Sequence, residues 1–149
     1  LIKKVDIEKN INLVFSIIKK YSPLNIYYFP TPKIYNKSSN NKLIKSYKKF
    51  YINLPVKIIK FANKYQNNFF YPSTTFIEER KLSPYAKIKL QAENKIKKLK
   101  NLKGKVNLLR IPKINTKQNL LITKHNLPNF RNLIENNKKL HNIVFFKTK

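Results

Sequence analysis

The spacing of apolar residues predicts that residues 82–105 form an amphipathic helix. Apolar side chains recur there at intervals of three and four residues, which places them on one face of a helix. At about 100° per residue they form one narrow stripe, which consists of Tyr85, Ile88, Ala92, Ile96, Leu99 and Leu102. Ser83 and Pro84 suit the N-cap and the first helical position, because proline lacks the N–H that would be unpaired there. Gly104 suits the left-handed residue that commonly ends a helix.

Lysines cover most of the other side of this predicted helix, and Glu93 is its one acidic residue. They are Lys87, Lys89, Lys95, Lys97, Lys98, Lys100 and Lys103. The pattern predicts that the apolar stripe faces a protein core and that the lysines face outward. A run of lysines is often only a solvated surface, so a binding role needs support from the rest of the chain.

Four other segments have the helical spacing of apolar residues. A helix is predicted over Asp6–Tyr21, with Asp6 as its N-cap, and its expected role is to pack into the core. Further helices are predicted over Lys42–Tyr51, over Pro55–Tyr65 and over Leu127–Leu140.

Extended structure is predicted where apolar residues are contiguous or where prolines interrupt the chain. Residues 22–41 contain three prolines and are expected to be irregular, with a short strand or extended stretch at Asn25–Phe29. Lys105–Ile111 is strand-like, and its predicted partner is Gln118–Thr123 across a polar loop. Asn142–Lys147 is a further strand-like apolar run.

These elements predict one basic domain over residues 1–149, of the α+β class. Its expected architecture is a small, mainly helical core with a few short strands, together with extended basic segments such as residues 22–41. The chain is 42% hydrophobic and 13% aromatic, whereas disordered basic tails lack large apolar residues. The aromatic run before Pro72 requires an extended chain. A core of modest size is therefore expected.

The net charge changes the interpretation of the lysine-rich face. The chain carries 33 Lys and Arg against 6 Asp and Glu, which gives +27 at pH 7. No acidic residue lies between Glu8 and Glu78. A folded domain with this charge repels itself, so a polyanionic partner is expected, and nucleic acid is the first choice.

We expect the lysines of the predicted helix to contact phosphate groups, together with a few basic residues outside it. The predicted RNA-binding residues are Lys87, Lys89, Lys95, Lys97, Lys98, Lys100, Lys103, Lys105, Arg110, Lys33 and Lys37. Aromatic rings beside cations can stack on unpaired bases. Four aromatic residues lie near Lys33 and Lys37 in the sequence, namely Tyr27, Tyr28, Phe29 and Tyr35. The alternative is that these rings fill a small core.

No arrangement of residues typical of an enzyme or of a metal site is found. Cysteine is absent and glycine occurs once, which excludes thiolate chemistry and the phosphate-binding loops that need several glycines. His125 and His141 have no nearby acidic residues that would complete a metal site. The paired carboxylates in Glu78–Lys81 stand beside two cations, so a local ion-pair cluster is expected. The sequence therefore predicts no catalytic residues, no metal and no cofactor.

In overall composition the chain resembles ribosomal proteins encoded in organelles, in particular mitochondrial ones from AT-rich genomes. The resemblance covers the whole chain and rests on 30 Lys against 3 Arg, on abundant Asn and Ile, and on a single Gly. It implies a structural constituent of the mitochondrial ribosome, located in the matrix, that binds rRNA by lysine–phosphate contacts and supports translation. Its expected partners are rRNA and neighbouring ribosomal proteins, with no small-molecule substrate.

Two other functions are consistent with a basic chain of this kind. Lysine-rich amphipathic helices also lie on anionic lipid surfaces, so a peripheral subunit of an inner-membrane respiratory complex is the main alternative. No apolar run approaches the ~20 residues of a membrane span, so no transmembrane segment is expected. A free DNA-binding factor is the third alternative, although no helix–turn–helix or zinc-finger spacing is found.

Overall fold

The computed structural model describes residues 5–32, 41–114 and 127–147, which form helices around a small sheet. The helices are α1 (Ile11–Tyr21), α2 (Asn41–Lys48), α3 (Leu54–Ala62), α4 (Pro84–Lys97), α5 (Phe130–Glu135) and α6 (Lys138–Val144). The strands are β1 (Asn25–Tyr27), β2 (Asn68–Thr74) and β3 (Val106–Ile111). A π-helical turn (Lys49–Asn53) joins α2 to α3, and 3₁₀ turns occur at Asn63–Tyr65 and Thr75–Glu78. The predicted α+β class is confirmed.

All three strands are parallel and pair in the order β1–β2–β3. Asn25 of β1 pairs with Asn68 of β2, and Phe69 of β2 pairs with Val106 of β3. Parallel neighbours need a long crossover connection. It is supplied by α2 and α3 between β1 and β2, and by α4 between β2 and β3. The result is a β–α–β–α–β unit, which is the arrangement of each half of a doubly wound α/β fold.

The strand predicted at Lys105–Ile111 is confirmed as β3, but its described partner is β2. The predicted partner, Gln118–Thr123, lies outside the described residues. The short strand predicted within Asn25–Phe29 is confirmed as β1. Because α4 separates β2 from β3 in sequence, a search for local hairpins cannot reveal their pairing.

The sheet separates two hydrophobic clusters, because successive side chains of a strand point to opposite faces. Phe69 and Tyr71 of β2 point to one face, where they pack with α1, α2, α3 and α4. Phe70 points to the other face and packs with Leu109 and Ile111 of β3 and with α5 and α6. These three β2 side chains are at most 1% exposed, so β2 is the centre of the molecule.

The helical run formed by α2, the π-helical turn and α3 continues through Pro55 because its hydrogen-bond register changes just before the proline. The Leu54 N–H donates to Lys49 O, five residues back, instead of to Phe50 O. Pro55 has no N–H to donate to Tyr51 O. The carbonyls of Phe50 and Tyr51 therefore lack their α-helical partners.

Two buried tyrosine hydroxyls take the place of these missing partners. Tyr28 Oη donates to Phe50 O at 2.6 Å, and Tyr71 Oη donates to Tyr51 O at 2.9 Å. Tyr28 follows β1 and Tyr71 lies in β2, so both bonds attach the helical run to the sheet. The helices predicted on either side of residues 52–54 are thus parts of one run.

The first helix begins later than predicted. Its N-cap is Asn10, whose Oδ1 accepts the Leu13 N–H at 3.1 Å. Asp6, the predicted N-cap, closes the turn before the helix, where its Oδ1 accepts the Glu8 N–H at 3.0 Å. Aspartate and asparagine are both good N-caps, and here Asn10, the residue directly before Ile11, caps α1. The predicted packing role of this helix is confirmed, because Ile18 is buried in the core.

The central helix also ends earlier than predicted. α4 stops at Lys97, and the left-handed residue in the loop that follows is Asn101, with φ 57°. Gly104, the predicted cap, does not have a positive φ. A Cβ atom at Gly104 would lie 2.0 Å from Asn67 O. Glycine is therefore required here by the close approach of two backbones.

The carboxyl-terminal segment is helical, and the strand predicted there is wrong. The helix predicted over Leu127–Leu140 is two helices, because Asn137 caps α6 by accepting the Leu140 N–H at 3.1 Å. α6 continues to Val144, whereas Asn142–Lys147 was predicted to be extended. Short apolar runs fit either a buried helix or a strand, and here the cap favours the helix.

Candidate functional sites

Two candidate sites are built on α4, which begins as the sequence predicts. Ser83 Oγ accepts the Ala86 N–H at 3.2 Å, and Pro84 occupies the first turn. Because α4 is the crossover that follows β2, its first turns lie beside the carboxyl end of the central strand.

The first site is a set of exposed lysines on α4 and in the loop after it, here called the lysine surface. Its members are Lys87, Lys95, Lys97, Lys98, Lys100, Lys103 and Lys105. At about 100° per residue, Lys87, Lys95 and Lys98 fall on one side of the helix. Lys97 also pairs with Glu93, with 3.3 Å between Nζ and Oε2. These positions agree with the predicted outward face, and the contacts with RNA stay a prediction.

Lys89 does not belong to this surface, and the prediction that it faces outward is wrong. It is 5% exposed, and its Nζ donates to Pro72 O at 2.5 Å. The same nitrogen lies 4.5 Å from the ring centroid of Tyr51 and 4.6 Å from that of Tyr71. The reason is that α4 packs against both β2 and the helical run, so it buries a wider face than the apolar stripe. The buried residues of α4 are Ala86, Ile88, Lys89, Ala92, Glu93 and Ile96.

Arg110, another predicted phosphate contact, is bound to two carboxylates. Its Nε and Nη2 donate to the two carboxylate oxygens of Glu93 at 3.1 and 3.0 Å, and its Nη1 donates to Glu78 at 3.0 Å. Burial is the largest influence on the pKa of Glu93 and acts to raise it. The hydrogen bonds and charge of Arg110, together with Ser73 and Lys97, outweigh burial and hold that pKa below its usual value. The pairing joins α4 to β3. Glu78 therefore pairs with Arg110 of β3, whereas the sequence predicted a local ion-pair cluster within Glu78–Lys81.

The second site consists of Thr74, Tyr85 and Lys89, here called the carboxyl-end cluster. Thr74 is the last residue of β2, and Tyr85 and Lys89 are about one turn apart on α4. The Tyr85 ring centroid lies 6.0 Å from Lys89 Nζ, and the Thr74 side chain lies close enough to the Tyr85 phenol to act on its pKa. An alcohol, a phenol and an amine are thus brought together from two elements.

The position of Pro72 in β2 explains why its carbonyl can accept a hydrogen bond from the Lys89 amine. Phe70 O accepts the Tyr28 N–H, so Phe70 directs its backbone groups toward β1. Alternate residues of a strand direct these groups to the same side, so Pro72 faces that side as well, beyond the point where β1 ends opposite Phe70. Pro72 has no N–H that would be left unpaired there, and its carbonyl is available to Lys89.

Burial shifts the pKa of both ionisable side chains in the carboxyl-end cluster. Removing Lys89 from water lowers the pKa of its amine to about 7, although the charge of Glu93 opposes this change. Burial raises the pKa of the Tyr85 phenol to about 12, and Thr74 opposes that change. A buried amine that exchanges its proton near pH 7 is characteristic of functional sites and suited to general acid–base chemistry.

The sequence pattern did not reveal this cluster, because it placed Tyr85 in the apolar stripe and Lys89 among the outward lysines. One signal was available. At about 100° per residue, Lys89 lies beside Ile96 at the edge of the stripe. No local pattern brings Thr74 to them, because that contact depends on how β2 packs against α4.

The aromatic residues predicted to stack on bases are divided between core and surface. Tyr28 is 3% exposed and belongs to the core, whereas Tyr27 and Phe29 are 38% and 52% exposed. Base stacking therefore stays a prediction for the two exposed rings. The remaining predicted residues of that region lie outside the described part of the chain, namely Lys33, Tyr35 and Lys37.

No protein-family model matches this chain, and no curated protein matches it significantly. Among the helices in the described ranges, none is long and apolar enough to cross a membrane. Within the same ranges, no group of three His, Cys, Asp or Glu residues could hold a metal ion. Function is therefore inferred from the geometry of the two sites.

Proposed function

We propose that the carboxyl-end cluster is an acid–base site that exchanges protons with a small, phosphate-bearing ligand. The observation that carries this proposal is the buried Lys89 amine, one helical turn from the Tyr85 phenol, at the carboxyl end of the central strand. Open parallel sheets bind their ligands outside the carboxyl ends of the strands. The fold supplies only this location, and the chemistry is argued from the side chains.

Each side chain of the cluster has a distinct role in this proposal. Tyr85 is the least buried of the three, and its phenol exchanges a proton with an oxygen atom of the ligand. Thr74 favours ionisation of the phenol, because it acts to lower the pKa of Tyr85. Lys89 stabilises the phenolate when the amine is protonated, and it exchanges its own proton near neutral pH, where a general acid–base group is most effective.

The charge of the chain supports a ligand that carries phosphate. A net charge of +27 concentrates anionic ligands near the protein. Nucleotides are the ligands that β–α–β–α–β halves of doubly wound folds bind, so they are the first class to test. With one glycine this chain lacks the glycine-rich phosphate loop of those folds, so any phosphate would have to be held by side chains. The composition predicted no small-molecule substrate and no catalysis, and a ligand screen distinguishes that prediction from this proposal.

A thermal-shift screen with nucleoside diphosphates, nucleotide sugars and dinucleotides tests the proposal. A ligand that binds only the folded state raises the melting temperature, and we expect one of these classes to raise it by several degrees. Lys89→Met should remove most of the rise, whereas Lys95→Met, on the exposed side of the same helix, should retain it. Tyr85→Phe should still bind the ligand but not convert it. Equal responses of wild type and Lys89→Met, or no response to any class, would show that the proposal is wrong.

A second function is favoured by the lysine surface. As the alternative, we propose a structural constituent of the mitochondrial ribosome that binds rRNA and neighbouring ribosomal proteins in the matrix and supports translation. Its support is the exposure of all seven lysines of that surface. Lys89 and Arg110 are not among its proposed phosphate contacts, because Lys89 is buried and Arg110 binds Glu93. With ~6–10 phosphate contacts, affinity would fall roughly 10³–10⁵-fold between about 50 and 200 mM salt, through counterion release.

Charge reversal on the lysine surface tests this second function. Lysates are sedimented on sucrose gradients with and without ribonuclease. The ribosomal function predicts co-migration with one subunit, loss of co-migration after ribonuclease, and failure of the reversed variant to assemble. Migration with membranes that is insensitive to ribonuclease and abolished by detergent would instead favour the peripheral respiratory-complex subunit. The test variant carries Lys95→Glu, Lys98→Glu and Lys100→Glu, and the control of equal charge carries Lys57→Glu, Lys60→Glu and Lys64→Glu.

A further inference from the structure

The edge of the sheet at β1 has an exposed apolar surface. Four of the six large hydrophobic side chains that are exposed in the described residues lie around β1. They are Tyr21, Leu24, Tyr27 and Phe29, which are 50, 73, 38 and 52% exposed, and they are called the β1 surface below. Single exposed apolar residues are common, whereas these four lie within residues 21–29, in and beside one edge strand.

The backbone of β1 is paired on one side within the described ranges. Leu24 O accepts the Asn68 N–H at 2.9 Å, and the Tyr28 N–H donates to Phe70 O at 3.0 Å. The even-numbered residues of this segment therefore direct their backbone groups to β2, and the alternate residues direct theirs away from it. Such an outward row of N–H and C=O groups is a template for a further strand. The outward-facing residues are Asn25, Tyr27 and Phe29.

We propose that an acidic protein partner adds a parallel strand to β1. Strands of all-parallel sheets are normally buried on both faces, and this edge is the place where the described sheet departs from that rule. Strand addition supplies main-chain hydrogen bonds, and the flanking side chains supply specificity. Tyr27 and Phe29 already contact Phe70, with ring centroids 5.9 and 6.0 Å away. A partner that extends the sheet would cover the exposed sides of both rings.

Charge identifies the partner as acidic. No acidic residue lies between Glu8 and Glu78, and the exposed Lys19 and Lys20 directly precede Tyr21. A second copy of the chain would bring two charges of +27 together, and like charges across an interface are strongly unfavourable. The partner is therefore a different polypeptide with Asp or Glu beside its strand. This inference does not depend on either proposed function.

A pair of synthetic peptides tests the proposal. Both have the same strand-forming centre of valine and isoleucine, flanked by glutamates in one peptide and by lysines in the other. We expect the glutamate peptide to bind the full chain with a micromolar Kd and the lysine peptide to bind at least tenfold more weakly, as measured by fluorescence anisotropy. Hydrogen exchange should slow at the outward amides of Tyr27 and Phe29 when the glutamate peptide binds, because these amides gain partners.

Tyr27→Pro is the decisive variant, because it removes an outward N–H while the bonds from β1 to β2 remain. Its affinity for the glutamate peptide should fall at least tenfold below that of Tyr27→Ala, which loses the same ring contact with Phe70 but keeps the N–H. Leu13→Ala, at an exposed apolar residue outside the β1 surface, should bind like wild type. The proposal is overturned if both peptides bind equally, if neither binds, or if Tyr27→Pro binds like wild type. Sedimentation equilibrium that shows self-association lost in Tyr27→Pro would assign the edge to a second copy and overturn it as well.

Discussion

The chemistry of Lys89 is decided by its surroundings rather than by its residue type. Lys87 and Lys95 on the same helix are exposed, whereas Lys89 lies between the Pro72 carbonyl and the rings of Tyr51 and Tyr71. The hydrogen bond and the attraction of a cation to aromatic rings both favour the charged amine. Burial outweighs them, and the pKa falls to about 7.

This burial predicts a pH dependence of stability that Lys89→Met removes. The folded-state pKa of about 7 lies below the ordinary value of 10.5, so between these values the unfolded chain binds a proton that the folded chain does not. The free energy of unfolding should therefore rise with pH above about 7, with a contribution from this group of at most about 1.4 kcal/mol per pH unit.

Urea unfolding between pH 6 and pH 8.5 measures this dependence below the range in which tyrosines titrate. The rise should be present in wild type and in the control variant Lys95→Met, and it should be absent from Lys89→Met. A Lys89→Met curve that runs parallel to the wild-type curve would mean that Lys89 is charged in the folded protein.

Among the elements, the helical run is held to the sheet by a defect in its own hydrogen bonding. Tyr71→Phe would leave Tyr51 O without its partner, which should lower the free energy of unfolding by about 1–3 kcal/mol. In a Pro55→Ala background, the new N–H at position 55 can bond to Tyr51 O, so Tyr71→Phe should cost less. A double-mutant cycle in urea measures the difference. Strictly additive costs would show that the proline does not create the need for the tyrosine hydroxyl.

Elements with local signals could be predicted from the sequence, and elements that depend on distant contacts could not. The apolar stripe of α4 and its Ser83–Pro84 start are periodic and local features. The pairing of Asn25 with Asn68 joins distant residues, and a proline such as Pro72 is unusual in a central strand. Pro72 is tolerated there because β1 ends before it, which only the assembled sheet reveals.

Over the whole molecule, net charge predicted an anionic partner but not the surface that meets it. Helical spacing alone predicts the exposure of Lys87, Lys95 and Lys97 on α4. The burial of Lys89 and the binding of Arg110 to Glu93 result from the packing of α4 between the sheet and the helical run. The carboxyl-end cluster therefore could not be predicted from residue types. Thr74 comes from β2, and on α4 the sequence pattern placed Tyr85 on the apolar side and Lys89 on the outward side.

The protonation of Lys89 in the intact protein is the most direct test of the acid–base site. The carbon-13 resonance of Lys89 Cε, assigned by its absence from Lys89→Met, would be followed by NMR from pH 5 to pH 10. We expect a titration midpoint near pH 7, because burial lowers the pKa of this amine to about 7. An amine that stays protonated to pH 10 would contradict the acid–base site and leave the lysine surface as the functional feature of α4.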